Sequence, residues 1–179
     1  MPSIQKNLQQ ASALAAAGKF AQLRALCAHM APGADASSLL DLGALLSGYG
    51  FLADARTCYQ RAQALAPTDL RATVNLANLA RDAGQHAQAR RLYAQLLQAL
   101  PNHPVIHRNA LTSLEYDPAV PDAERFAQAT AWGKWAMARA GGPLPCPPVK
   151  PLTDRPLRVG YVSADLCQHT VGLFAKEVL

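Results

Sequence analysis

Asp165 and His169 stand in the run 164–170, just after a stretch rich in β-branched and aromatic residues, 157–163 (LRVGYVS). Imidazole changes charge near neutral pH, so a loop histidine there could act as a general base or position a reactant. The nearby carboxylate could orient that ring or cap a following helix. Asn75 and Asn78 form a second candidate set. An amide donates and accepts at once, which suits holding an extended peptide backbone without reading its side chains. His103 and His107 have the spacing of two metal ligands on one helical face. Pro104 sets His103 ahead of that helix, however, and no Cys, Asp or Glu completes a set, so a surface pair is the better account. Cys27, Cys58, Cys146 and Cys167 are far apart with no CxxC pair and read as separate reduced thiols.

The elements that position the asparagines are written twice at a spacing of 34 residues. Leu42, Leu45, Gly50, Ala53, Ala55, Arg56, Tyr59 and Pro67 recur as Leu76, Leu79, Gly84, Ala87, Ala89, Arg90, Tyr93 and Pro101. A fixed period of this length marks stacked helix pairs, which present a binding surface rather than chemistry. Helices are expected near 37–49, 52–65, 71–83 and 86–99. Two further helices, 4–17 and 20–30, read as a degenerate first repeat over 4–33, and the phase restarts at Pro104. It is interrupted at Tyr116-Asp117-Pro118, and a helix with Asp122 as its N-cap runs toward Ala140 to close an altered, capping repeat over 104–140.

Within 36–69 the small Gly43 after Leu42, the turn at Gly50, and Ala55, Tyr59 and Ala62 before Pro67 resemble a tetratricopeptide repeat. The copy at 70–103 departs only in Ala77 for glycine and Leu96 for alanine. Small residues are expected where helices cross closely, with the tyrosine filling the gap between neighbouring pairs. The resemblance implies an array over 1–140 whose first helices line a concave face, placing Asn75 and Asn78 as peptide-binding candidates. Asp41 and Ala44 at the matching places of the preceding repeat break any continuous ladder.

The segment 141–151 holds two glycines and five prolines and reads as part of an extended linker, 141–154. Strand, loop and helix over 155–179 would open a doubly wound α/β domain, with His169 just past the carboxyl end of its first strand, where such sheets bind ligands. The run RPLRVGYVSADLCQHTVGLFAKEVL resembles the start of the catalytic region of bacterial SPINDLY-type O-linked N-acetylglucosamine transferases. Leu114 to Pro118 and the helix from Phe126 to Trp132 resemble the joint between repeats and catalytic domain in that family. The fold class expected is therefore mainly α, a tetratricopeptide helical superhelix, with a short β-α piece of a Rossmann-like GT-B lobe.

The resemblance implies transfer of N-acetylglucosamine from UDP-GlcNAc to Ser or Thr hydroxyls of acceptor proteins, with inversion and with no metal or other cofactor. It puts His169 in the active site, as base or as positioning group; Asp165, in the same loop, is the residue placed to orient its ring. It also implies that nucleotide and sugar contacts come mostly from lobes beyond this sequence, so the chain alone should neither hold the donor nor turn over. A natural truncation, a gene fragment and a deliberately shortened chain fit equally well. The competing reading is a stand-alone protein-interaction module with a vestigial tail. Trp132 and Trp135 resemble a sugar platform, but their alanine-rich helix makes packing between array and catalytic lobe the better expectation.

Bulk properties narrow the class further. Half the residues are hydrophobic and 6% aromatic, which suits close-packed helices. The net charge is +5 and the pI 9.2, yet the arginines are scattered among acids with no basic cluster interleaved with aromatics, against nucleic-acid binding. The polar start and the absence of a long apolar run argue against a signal peptide or membrane span, and a cytoplasmic location is expected.

Overall fold

A computed structural model describes residues 4–143, 145, 160, 163–164 and 167–176. They divide into two compact units, Met1–Gly142 and Pro143–Leu179. Eight α-helices lie in the first unit: α1 (Ile4–Ala16), α2 (Phe20–Met30), α3 (Ala36–Gly48), α4 (Leu52–Leu65), α5 (Leu70–Asp82), α6 (His86–Ala99), α7 (Pro104–Glu115) and α8 (Asp122–Arg139). A short 3-10 turn, Ala31–Gly33, follows α2, and α9 (Thr170–Lys176) lies in the second unit. Among the described residues there is no strand. Apart from Gly160 and Ser163, the expected strand at 157–163 falls outside them.

Local chemistry sets the helix ends. Gly18, Gly50 and Gly84 take φ of 67°, 81° and 72°, a left-handed conformation that L side chains rarely adopt. At each, the next residue donates its amide back across the turn: Lys19 to Leu14 at 2.9 Å, Phe51 to Leu46 at 2.9 Å and Gln85 to Ala80 at 2.7 Å. The glycine's own amide closes the shorter loop, onto Ala15, Ser47 and Arg81 at 3.0 Å each. One Schellman turn written three times, including in the degenerate first pair, thus joins the two helices of each pair. Side chains cap the starts of α3 and α5: the Asp35 carboxylate accepts the Ser38 amide at 2.7 Å, and Asp69 accepts that of Arg71 at 3.0 Å. The Ser38 amide holds the Asp35 carboxyl below its usual range, and the Arg71 guanidinium, with its amide second, does the same for Asp69.

First helices stack on one another, α1 on α3, α3 on α5 and α5 on α7, while each second helix packs on its partner. The buried set repeats with the period: Ala55, Tyr59 and Ala62 on α4 match Ala89, Tyr93 and Leu96 on α6. The recurrent arginines reach forward to the next turn, Arg56 to Gln85 Oε1 at 2.8 Å and Arg90 to Asp117 Oδ2 at 2.9 Å. The fold is a tetratricopeptide-like helical array.

Tyr59 lies over Gly43 of its own pair and shares a buried cluster with Ala72, Leu76 and Leu79 of α5 in the next pair. A Cβ at position 43 would sit 2.7 and 2.9 Å from ring atoms Cδ1 and Cζ, and nearer still to Cε1. The ring occupies the volume that the missing side chain leaves.

The fourth turn breaks the pattern because no glycine follows α7. Instead Asp117, 2% exposed, accepts the Ala119 amide at 2.9 Å through one carboxylate oxygen and sets the other 2.9 Å from the Arg90 guanidinium as an ion pair. Arg125 of α8 donates to the backbone carbonyls of Asp117 at 2.7 Å and Leu114 at 3.2 Å. This buried charge replaces the left-handed glycine as the device that reverses the chain. Pro121, not Asp122, holds the N-cap position of α8; Asp122 is its first residue and pairs with Arg125 instead, and α8 lies on α7 with none of its residues buried.

Candidate functional site

Asn75 and Asn78 are one turn apart on α5, both half-buried. The Asn78 carbonyl oxygen is already engaged: it accepts the Tyr93 hydroxyl at 2.5 Å and the Asn109 amide at 3.3 Å. Asn78 therefore ties α5 to its own second helix and to α7 of the next pair, leaving its amide nitrogen as the polar end without a hydrogen bond among the described residues. Burial, with the nearby Asp82 adding and Arg81 opposing, pushes the Tyr93 phenol up to about 12, so it stays a donor at neutral pH. In the first full pair Ala44 takes the place of Asn78, so that side chain offers the Tyr59 hydroxyl no amide to bond.

Asn109 is the residue that the sequence reading missed. It lies 34 residues beyond Asn75, the same place on the next first helix, and the period itself was the signal that could have found it. The stacking of α5 on α7 brings Asn75, Asn78 and Asn109 together on adjoining first helices. Asn75 makes no side-chain hydrogen bond among the described residues, so its amide can meet a peptide group.

His169 lies in the second unit, exposed, just ahead of α9. Its Nδ1 accepts the Val171 amide at 3.2 Å, its carbonyl accepts the Leu173 amide at 3.0 Å, and its own amide donates to Cys167 at 2.8 Å. His169 thus supplies the side-chain cap that was one expected use of Asp165, which falls outside the described residues. With Nδ1 accepting, a neutral ring carries its proton on Nε2, and its free edge offers an N–H donor.

The remaining candidates serve the array. His103 caps α7, its Nδ1 accepting the Ile106 amide at 3.4 Å, whereas His107 donates from Nε2 to the Pro101 carbonyl at 2.6 Å and stacks on Trp135 with centroids 4.6 Å apart. Among the described residues no group of three or more His, Cys, Asp or Glu is placed to hold a metal. Trp135 also donates to Asn102 Oδ1 at 3.4 Å and carries the Arg139 guanidinium over its ring at 5.2 Å. Both tryptophans pack within the array, Trp132 beside residues of α6 and α7. Cys27 and Cys58 are buried; burial, reinforced by Cys58 and Asp54, pushes the Cys27 thiol up to about 11, so it is protonated and unreactive at neutral pH. Among the described residues no helix is long and apolar enough to cross a membrane.

No family model and no curated protein matches the chain. Among solved structures it is similar to an O-GlcNAc transferase of Thermobaculum terrenum, solved as a mutant. The two are 28% identical over 98% of this chain and 34% of that one, with a TM-score of 0.69. The chain thus spans about a third of the length of that transferase. It is also similar to MamA from AMB-1, at 18% identity over 75% of this chain and 72% of that one with a TM-score of 0.52. A further MamA structure shares 16% identity over 82% and 80%, with a TM-score of 0.57. At these identities the likeness to MamA is one of fold.

Proposed function

We infer that this chain is the acceptor-docking arm, with the opening of the catalytic region, of a SPINDLY-type protein O-GlcNAc transferase working in the cytoplasm. One observation carries the reading: the likeness to an O-GlcNAc transferase runs over 98% of the chain, past the array and into the unit that holds His169. The array supplies the surface. Asn75 and Asn109 hold the backbone of an extended segment of the acceptor protein, while Asn78, bound to Tyr93, fixes the spacing of their helices.

In the reaction an acceptor Ser or Thr oxygen attacks the anomeric carbon of UDP-GlcNAc. The bond from that carbon to the diphosphate breaks, UDP leaves, and the hydroxyl proton passes to a base, with inversion. The donor's nucleotide and sugar contacts belong to lobes outside this chain, and no metal or further cofactor is invoked. The Nδ1 cap supports a positioning role for His169, because an Nε2–H can donate to an acceptor or donor oxygen but cannot take up a proton. Asp165 is the neighbour proposed to orient the ring.

The test is a mass-shift transfer assay with UDP-GlcNAc and an acceptor protein, on a chain continued through both lobes. Expected are a fall in turnover for His169→Ala and a raised acceptor KM, with little change in kcat, for Asn75→Ala/Asn109→Ala. A folded extended chain that transfers no sugar would sink the proposal. A stand-alone interaction module is the second reading, favoured by the separation of Met1–Gly142 as its own compact unit. It requires that unit alone to bind the same partner.

A further inference from the structure

A polar hollow of about 550 Å³ is lined by Arg81 and Asp82 at the end of α5, Gly84 and His86 at the turn into α6, and Thr112 and Tyr116 at the end of α7. It lies on the face that carries the asparagines: Asn75, Asn78 and Asp82 follow one another at i, i+3 and i+7, and so do Asn109, Thr112 and Tyr116. Its two charges cancel. Nε and Nη2 of Arg81 both lie 2.8 Å from Asp82 Oδ1, which leaves the second carboxylate oxygen over. The Thr112 hydroxyl donates to the Arg108 carbonyl at 2.9 Å, so toward a ligand its oxygen can only accept. Tyr116, 62% exposed, adds a phenol that donates or accepts.

Resting on the docking role given above to Asn75 and Asn109, we propose that this hollow is a specificity subsite that takes one glutamine side chain of the acceptor segment. Neighbouring helix axes lie about 8–10 Å apart, so about three extended residues span the two asparagines. A side chain directed between them meets Thr112 about 4.5 Å along α7 from Asn109, a reach for a long side chain and not for serine or alanine. Lysine, arginine or glutamate would add a third charge to a neutral pair and leave one charge uncompensated. The carboxamide brings no charge and carries both functions. Its NH2 can meet the Thr112 oxygen or the second Asp82 oxygen, and its carbonyl can meet the donors of Arg81 or Tyr116. Methionine matches the length but leaves those groups unbonded.

Fluorescence anisotropy on the full chain tests it. The probes are short fluorescein-labelled peptides, alanine and serine in alternation around a central glutamine, glutamate, lysine or methionine. The glutamine peptide should bind about five- to tenfold more tightly than the other three, the worth of one neutral hydrogen bond. Asp82→Asn leaves the Arg81 charge unpaired and should turn the preference to glutamate, and Thr112→Val should reduce the preference for glutamine. Both positions are exposed, so circular dichroism and Tm should stay unchanged. Equal affinity for the four peptides, or a glutamine preference that both variants leave intact, would overturn the subsite. Docking itself is read separately: Asn75→Ala/Asn109→Ala should weaken all four peptides alike. Undiminished binding by that chain would overturn the docking role, and binding of none of the peptides to the parent chain would overturn both.

Discussion

Replacing Gly43 by alanine tests the packing of the first full repeat most sharply, because the sign of the effect depends on one ring. The added Cβ would lie 2.7 and 2.9 Å from Cδ1 and Cζ of Tyr59. That is short of the roughly 3.5–4.0 Å optimum for carbon contacts. Tyr59 is 3% exposed and cannot swing into solvent, so ring and helix must part. Such overpacking costs about 1–3 kcal/mol. Against it, alanine is better than glycine inside a helix by about 1 kcal/mol. Gly43→Ala should therefore destabilise by about 1 kcal/mol net, a loss of about 2–4 °C in Tm for a chain of this size. In a Tyr59→Leu background the clashing ring atoms are gone and only the propensity gain remains, so the same change should stabilise by about 1 kcal/mol. Urea unfolding followed by far-UV circular dichroism on the four chains of the cycle measures both values. If Gly43→Ala stabilises the parent chain, or destabilises both backgrounds equally, the account of Tyr59 seated on Gly43 is wrong.

Two further outcomes follow from the same packing. Asp117→Asn removes the buried charge that pairs with Arg90 while keeping an acceptor for Ala119, and should cost about 1–3 kcal/mol; denaturation midpoints check it, and a neutral result would refute the fourth-turn argument. Burial pushes the phenols of both Tyr59 and Tyr93 up to about 12, so the folded state favours the protonated forms. Their contribution is full below the ordinary tyrosine range near about 10 and is lost as pH rises toward 12. Unfolding midpoints should fall between pH 10 and 12 less steeply in a Tyr59→Phe/Tyr93→Phe chain than in the parent; parallel falls would disprove the linkage.

What the sequence determined by itself was set by short-range chemistry. Glycines at 18, 50 and 84 end first helices because only glycine readily adopts the left-handed turn, aspartates at 35 and 69 cap the next ones, and the period of 34 aligns the buried alanines and tyrosines. These are interactions between residues a few positions apart, so residue type and spacing suffice to locate α1 to α8 within about a residue or two. The period also contained Asn109, had the asparagines been followed one repeat further.

Only the tertiary structure decided what those side chains do. Asn78 looked like a free peptide-binding amide, but α6 brings the Tyr93 hydroxyl onto its oxygen and α7 adds Asn109. Trp135 reads in the sequence as a packing residue, and it is α7 that sets His107 against it. Each of these pairings joins residues 15 to 31 positions apart, where contact depends on how whole helices pack.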